Sequence, residues 1–302
     1  MASTSSASST PKNIHGKVIW PESPSIKQEF AFPDSIIYYL LKNTSYPNIY
    51  LKLTQSCKYF FEQNQVVVAA RIHEDKTETI MCLNDKEICQ EKEEECCLDA
   101  DIPEIKCKIW LTDELKLSYN NISKCTSLLL PKLYQCECAE LVLCCNIATF
   151  DDFKKLAAAF KKFVIFDLKI TNSDGSIVML DSILEACSNV ESFDYWFVRG
   201  TDAATASTLM DMSKLQNLKN LKHLELNDIP EIFDVEDIFS FAKTHINATM
   251  MFDFHWSISE EYKTQLDSVI DRIIELPNLR CCISYEGQNE EKLEILEIRC
   301  GL

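Results

Sequence analysis

The feature that most constrains the fold of this chain is a series of short apolar runs that starts near residue 106. The runs occupy residues 107–111, 140–143, 164–170, 193–198, 222–226, 251–256 and 279–283. Their centres lie about 25–33 residues apart, a period typical of chains built from repeated strand–helix units. Each run has the length of a β-strand, and segments with helical periodicity separate the runs. The spacing therefore predicts an α/β fold in which parallel strands form one sheet backed by helices.

Two of the intervening helices begin with recognisable start signals. Thr149 and Asp152 form a capping box before a helix that is predicted to run through Lys162. Ser257 and Glu260 precede a second helix, which carries apolar residues at helical spacing. These signals place helices between the predicted strands.

The clearest single repeat covers residues 215–229, where the apolar residues follow the order LxxLxxLxLxxI. This order resembles the turn and strand of a leucine-rich repeat. Asn217 stands just before the strand, and Asn189 and Asn278 occupy the same place before two other runs. The resemblance implies an irregular leucine-rich-repeat-like α/β solenoid over residues 105–302. An α/β sheet with less regular closure is the alternative.

Side chains alternate between the two faces of a strand, so a single phase divides each run into inward and outward residues. With Leu224 and Leu226 taken as inward, the same phase buries Ile109, Leu111, Leu168, Ile170, Tyr195, Phe197, Phe252 and Phe254. The outward residues include Trp110, Lys169, Asp194, Trp196, His223, Glu225, Asp253 and His255. A charged and aromatic set of this kind is typical of a recognition surface. For the two tryptophans, burial under helices or loops is the alternative.

A short helical module is predicted over residues 29–73, with a helical pattern in residues 30–70. Pro33 suits the first turn of a helix, and Ile36, Ile37 and Leu40 follow at helical spacing. A segment this short cannot support a core of its own, so its apolar stripe must pack on the larger domain or on a partner.

Two segments flank the module. Residues 1–28 are rich in Ser, Thr and Pro and lack the apolar stretch of a signal peptide, so we predict a disordered tail. Residues 74–104 are dominated by charge and have weak periodicity, which predicts an acidic flexible connection.

The composition argues against several classes of function. The chain has only five glycines, whereas loops that hold nucleotide phosphates depend on glycine. Its formal charge of −17 argues against nucleic acid as a partner, because that affinity comes from Lys and Arg. No run of about 18 apolar residues occurs, so no membrane association is predicted. No catalytic pattern is recognisable, and we expect no enzymatic activity.

The fifteen cysteines are predicted to be reduced and mostly buried. An odd number, the absence of an export signal and a large core all disfavour a disulfide framework. No CxxC pair of the kind used by tight zinc sites is present, so no metal site or cofactor is predicted. Cys89, Cys96 and Cys97 lie in the charged segment and are predicted to be the most accessible thiols.

The helical module resembles an F-box, which typically opens with Leu-Pro-x-Glu and later carries Leu-x-x-Val-Cys/Ser-Lys-x-Trp/Phe. Residues 32–35 (Phe-Pro-Asp-Ser) and 53–60 (Leu-Thr-Gln-Ser-Cys-Lys-Tyr-Phe) fall on these positions. Ser35 stands where an F-box has Glu, and Ser56 stands where it has Val. The segment is similar in style to the divergent F-box-like families expanded in nematodes.

This resemblance implies a non-catalytic substrate receptor of an SCF-type ubiquitin ligase, acting in the cytoplasm or nucleus. The adaptor protein of the ligase would contact Pro33, Ile36, Ile37, Leu40, Leu53, Cys57 and Phe60. The outward residues of the sheet would bind a protein substrate. The alternative is a scaffold protein without a ligase role, in which the N-terminal helices cap the first repeat, because stacked repeats need a terminal cap.

Overall fold

The structure is a computed structural model that describes residues 12–14, 17–19, 33–44, 46–74, 78–83, 89, 97–118, 122–136, 139–144, 147–198, 200 and 203–302. Two short strands, β1 (Lys12–Ile14) and β2 (Lys17–Ile19), pair antiparallel. The remainder of the predicted disordered tail, residues 1–28, lies outside the described residues.

Three helices follow: α1 (Asp34–Asn43), α2 (Pro47–Ser56) and α3 (Lys58–Gln63). Pro33 immediately precedes α1 and Pro47 opens α2, as expected for proline at a helix start. The prediction of helix as far as residue 70 is wrong after Gln63. The run Val66–Glu74 forms a strand, because its consecutive β-branched valines favour extended backbone.

A large, mostly parallel sheet organises the rest of the described chain. The strands after α3 are β3 (Val66–Glu74), β4 (Thr79–Cys82), β5 (Cys97–Asp99), β6 (Lys108–Ser118), β7 (Leu133–Gln135), β8 (Glu140–Cys144), β9 (Ile147–Thr149), β10 (Lys162–Ile165), β11 (Lys169–Thr171), β12 (Ser192–Trp196), β13 (His223–Ile229), β14 (Thr249–Phe254) and β15 (Cys281–Ser284). In the large sheet they lie in the order β5-β4-β3-β6-β8-β10-β12-β13-β14-β15, with β7 paired to β6 outside this path.

Along the series β3-β6-β8-β10-β12-β13-β14-β15, each strand runs parallel to its neighbours. β4 pairs antiparallel with both β3 and β5. The order from β6 to β15 follows the chain. The predicted α/β fold with a large parallel sheet is therefore confirmed.

The helices that connect these strands are α4 (Ile122–Lys124), α5 (Phe150–Ala157), α6 (Leu180–Ala186), α7 (Thr208–Met212), α8 (Val235–Thr244), α9 (Glu260–Ile274) and α10 (Glu290–Cys300). Short 3₁₀ turns lie at residues 102–104, 130–132 and 216–220, and a π-helical turn lies at residues 125–129. The predicted start of α5 is confirmed, because Asp152 N donates to Thr149 Oγ1 at 3.3 Å. The helix ends at Ala157, earlier than the predicted Lys162.

Two sequence expectations about this region need correction. The run at residues 164–170 is not one strand: β10 ends at Ile165, the chain turns at Asp167 with a φ of 49°, and β11 pairs with β9 in a separate small sheet. The segment predicted to be a flexible connection, residues 74–104, contributes β4 and β5 to the large sheet. β4 pairs with β3 and β5 pairs with β4, so backbone hydrogen bonds hold these residues in place although their composition predicted flexibility.

The core lies between the sheet and the helices α5–α10. The ten residues predicted to point inward are all buried in it, so the phase taken from Leu224 and Leu226 is confirmed. Asn217 Nδ2 donates to the carbonyl oxygens of Leu184 and Cys187, both at 2.8 Å. The asparagine thereby ties the turn before β13 to the end of α6, the helix that precedes β12.

A second apolar cluster forms where the N-terminal helices cover the other side of β3 and β6. Ile37, Leu41 and Tyr50 pack there against Val66, Val68 and Trp110. Tyr50 and Trp110 have ring centroids 6.0 Å apart, and Tyr134 Oη donates to the carbonyl of Lys42 at 2.9 Å. The prediction that Trp110 is an exposed binding residue is wrong: it is 5% exposed, because α1–α3 lie over this end of the sheet.

Over the part of the chain that the structure describes, no helix combines the length and apolarity needed to cross a membrane.

Candidate binding face

Among the residues that the structure describes, α5–α10 cover one face of the sheet, and α1–α3 cover the opposite face only at β3 and the start of β6. We call the uncovered part the open face. It is formed by the outward side chains of β6, β8, β10, β12, β13 and β14, including Glu114, Lys116, Glu140, Lys162, Asp194, Trp196, His223, Glu225, Asn227 and Asp253. These side chains are exposed or half-buried, except Asn227, which is buried.

An aromatic pair lies on this face where β10 and β12 end. Trp196 is 39% exposed and meets the ring of Phe166 edge-on, with centroids 5.4 Å apart. Phe166 is also exposed. Two large exposed rings in contact provide apolar area that a partner could bury.

Next to this pair, a polar network crosses β12 and β13. Asn227 Nδ2 donates to Asp194 Oδ1 at 2.9 Å and to Glu225 Oε1 at 3.1 Å. His223 Nε2 contacts the other carboxylate oxygen of Glu225 at 3.2 Å. One buried amide therefore holds two carboxylates that lie directly opposite each other in the pairing of β12 and β13.

The two carboxyls of this network have opposite pKa shifts. Burial, followed by the nearby charge of Glu225, raises the pKa of Asp194 to about 6. The hydrogen bond from His223 holds the pKa of Glu225 below its usual range, and the bond from Asn227 adds to this effect. Asp194 is therefore the carboxyl of this pair that takes up a proton first as the pH falls.

We expect Asp194→Asn to increase the free energy of unfolding at pH 7 by on the order of 1–2 kcal/mol. The folded-state pKa of Asp194 lies above the unfolded value of about 3.9, so the folded state binds more protons between about pH 4 and pH 6. The free energy of unfolding of the wild type should therefore fall as the pH rises through this window. The side-chain oxygen of the asparagine in Asp194→Asn can still accept from Asn227 but does not titrate, so the variant should lack this dependence on pH. Urea unfolding between pH 4 and pH 7 measures it.

The matched control is Asp253→Asn, which alters an exposed carboxyl on the same face that accepts from Ser284 Oγ at 2.6 Å. It should change the free energy of unfolding by less than about 0.5 kcal/mol. Equal pH slopes in the wild type and Asp194→Asn would contradict the assignment of this carboxyl.

A second pair of charged groups lies at the other end of the open face. His73 Nε2 on β3 contacts Glu114 Oε1 on β6 at 2.6 Å. This hydrogen bond is the main reason that the pKa of Glu114 is lowered, while burial and then the charge of Glu114 raise the pKa of Glu140 on β8.

Of the eight residues predicted to bind a substrate, five lie on the open face: Asp194, Trp196, His223, Glu225 and Asp253. Trp110 is buried under the N-terminal helices, as described above. Lys169 belongs to β11 and so lies in the separate small sheet. His255 is half-buried in the turn before α9, where its Nδ1 accepts from Ser257 N at 3.1 Å. Substrate-binding roles for Lys169 and His255 on this face are therefore incorrect, because their strands end before them or pair elsewhere.

The residues predicted to contact an adaptor divide into two groups. Ile37 is 5% exposed in the second apolar cluster, so its predicted contact with a partner is wrong. Leu53, Cys57 and Phe60 are half-buried.

Pro33, Ile36 and Leu40 are exposed, the last two at 44% and 52%. Tyr39, also exposed, lies with Ile36 and Leu40 on one side of α1 because residues three and four apart share a helix face. We call Ile36, Tyr39 and Leu40 the exposed stripe.

Sequence reasoning missed several residues of the open face, among them Asn227, Phe166 and Glu114. Asn227 continues the alternation of His223 and Glu225, so extending the phase by one step would have found it. Phe166 was missed because the phase that buries Leu168 and Ile170 places it inward, whereas the turn at Asp167 interrupts this alternation after β10. No sequence pattern indicated Glu114, because its contact with His73 depends on the pairing of β6 with β3.

No protein-family model matches the chain, and no curated protein matches its sequence. A functional assignment therefore depends on the residues and their geometry.

Proposed function

We propose that the chain is a non-catalytic substrate receptor of an SCF-type ubiquitin ligase. The observation that carries this proposal is the two-sided helical module. One side of α1 packs on the sheet through Ile37 and Leu41, and the other side presents the exposed stripe. The module thus holds a fixed place on the domain while keeping an apolar surface available to an adaptor.

The residues of the exposed stripe support this role. Ile36 and Leu40 fall in the first helix of the F-box-like segment, directly after Pro33. A helix that buries Ile37 and Leu41 has already satisfied its packing within the chain. Ile36 and Leu40 still expose 44% and 52% of their surface, so burying the remainder in a complex would contribute roughly 1 kcal/mol for each.

For the repeat region we infer an irregular leucine-rich-repeat-like solenoid. Parallel strands that follow chain order support this inference, as do the hydrogen bonds from Asn217 to the end of α6. In such an array the strand face is the usual place for a partner.

The open face would bind the substrate of this receptor. Carboxylates dominate it, with Glu114, Glu140, Asp194, Glu225 and Asp253 on five strands of the sheet, and the pair Phe166–Trp196 adds aromatic surface. A protein segment that combines basic and apolar side chains complements this surface, because opposite charges favour encounter and aromatic residues provide the buried contacts.

We expect the double substitution Ile36→Asp plus Leu40→Asp to abolish co-purification with the ligase adaptor. Loss of the two aliphatic contacts, together with the cost of burying two carboxylates in an apolar interface, should weaken binding by about 3–6 kcal/mol, which is more than a hundredfold in Kd. Both residues are exposed, so the substitutions should leave thermal unfolding nearly unchanged. Affinity purification with quantitative mass spectrometry measures the captured adaptor.

The matched control is Ile295→Asp plus Ile298→Asp, which places the same charges on exposed isoleucines of α10 at the other end of the sheet. This control should retain the adaptor. Adaptor capture that survives the α1 substitutions, or that is lost equally in the α10 control, would refute the proposed interface.

A scaffold protein whose N-terminal helices cap the sheet is the second candidate. The burial of Val66, Val68 and Trp110 under α1–α3 favours it, because these side chains would otherwise face water. The two roles use opposite sides of α1. Adaptor binding therefore decides between a receptor and a scaffold, while capping is compatible with both.

A further inference from the structure

Three cysteine side chains meet at the end of the sheet beyond β3. Cys82 ends β4 and pairs directly with Cys97 at the start of β5, and Cys89 lies against both. Cys82 Sγ is 2.6 Å from Cys97 Sγ, and Cys89 Sγ is 3.3 Å from Cys97 Sγ. All three sulfur atoms lie within 4.8 Å of one another.

This cluster is not the solvated surface that the sequence predicted. Cys82 and Cys89 are each 2% exposed, and Cys97 is half-buried. The expectation that Cys89 is among the most accessible thiols is therefore wrong. Pairing of β4 with β5 draws the charged segment onto the sheet and buries the sulfur atoms that the segment carries.

A buried cation lies beside the cluster. Arg71 on β3 is the pairing partner of Cys82 and is itself 8% exposed. Its Nε atom is buried and has no hydrogen-bond partner among the described residues. On its other side the nearest carboxylate by pairing is Glu114, which already bonds to His73.

We propose that Cys82, Cys89 and Cys97 bind one Zn²⁺ ion as thiolates, with Arg71 as the compensating charge. Three neutral thiols provide little to balance a buried guanidinium, and burying an unbalanced charge is costly. Three thiolates around a divalent ion carry a net charge of −1, which Arg71 neutralises. Binding transfers the three thiol protons to solvent and leaves the fourth tetrahedral position to a water molecule.

The positions of the sulfur atoms suit this ion. With Zn–S bonds of about 2.3 Å in a tetrahedron, the sulfur atoms lie roughly 3.8 Å apart. The two observed separations, 2.6 Å for Cys82–Cys97 and 3.3 Å for Cys89–Cys97, are shorter than this, so binding requires rotations about the side-chain bonds that move the sulfur atoms apart. A disulfide between Cys82 and Cys97 would use two of the three sulfur atoms and would leave Glu114, which already bonds to His73, as the nearest carboxylate to Arg71 by strand pairing.

The test uses the full chain, reduced and freed of metal with a chelator, and Zn²⁺ as the probe. Competition with a coloured chelator should show one tightly bound Zn²⁺ per chain. Cys82→Ser, Cys89→Ser and Cys97→Ser should each remove this binding, whereas Cys144→Ser, a half-buried thiol on β8, should retain it. Arg71→Gln should weaken binding about 10–100-fold, as expected for a group that acts on the ligands from outside the coordination shell.

A second measurement on the wild type avoids variants that fail to fold. Zn²⁺ should protect Cys82, Cys89 and Cys97 from alkylation, read out on individual peptides by mass spectrometry, and should leave Cys144 unaffected. Failure of the reduced wild type to take up Zn²⁺, or equal binding by the three serine variants and Cys144→Ser, would overturn the proposal. A Cys82–Cys97 disulfide in protein that binds no Zn²⁺ after reduction would replace the proposal with a redox pair.

Discussion

Trp110→Ala is expected to lower the free energy of unfolding by about 3–5 kcal/mol, the usual cost of truncating a large buried aromatic residue. The indole lies between β6 and the N-terminal helices, where it contacts the rings of Tyr50 and Tyr134 at centroid distances of 6.0 and 6.1 Å. Its removal leaves a cavity that the helices cannot fill without leaving the sheet. Urea unfolding monitored by circular dichroism measures the change.

Trp196→Ala is the matched control for this prediction, since both tryptophans were expected to lie on the same outward face. Trp196 is 39% exposed and loses mainly its contact with Phe166, so its substitution should cost less than about 1.5 kcal/mol. Similar losses for the two variants would mean that the helical module does not cover Trp110 in solution.

Removal of residues 1–64 is expected to lower the melting temperature by roughly 10–20 °C, because Val66, Val68 and Trp110 would become exposed together. The loss of their burial corresponds to on the order of 5 kcal/mol. The cut falls before β3, since a deletion through residue 70 would remove half of a strand that pairs with both β4 and β6. Differential scanning calorimetry of the two chains measures the shift.

A chain that lacks residues 1–32 serves as the control, because it keeps α1–α3 and separates their contribution from that of the preceding residues. An unchanged melting temperature after removal of residues 1–64 would show that the helices do not cap the sheet. Combined with the Ile36→Asp plus Leu40→Asp result, the two deletions separate stabilisation of the domain from adaptor binding.

Much of the main sheet could be predicted from sequence because its signals are local. The run around Leu224 and Leu226 alternates with a period of two, and the burial of Phe252 and Tyr195 followed from the same phase. Thr149 signals the start of α5 because its side chain bonds to a backbone amide three residues away. Patterns of this kind depend on neighbours along the chain, so the sequence states them directly.

The environments of the candidate binding residues depend on pairing between segments that are far apart in the chain, and no local sequence pattern predicts this pairing. Trp110 follows the same alternation as Trp196, but only Trp110 is buried, because helices from another part of the chain cover β6. Asp194 owes its raised pKa first to burial and then to the charge of Glu225, which lies opposite it in the pairing of β12 with β13.

By itself, the sequence determined the α/β class, the inward face of the sheet and an apolar helix that begins after Pro33. The tertiary structure alone decided which side of that helix stays exposed and which tryptophan is available to a partner. It also decided that Arg71, Cys82 and Cys97 are direct pairing neighbours across β3, β4 and β5. The physical reason is that alternation and helical period fix which side of its own element a residue occupies. Whether that side meets water, a helix or another strand depends on contacts between residues far apart in the chain.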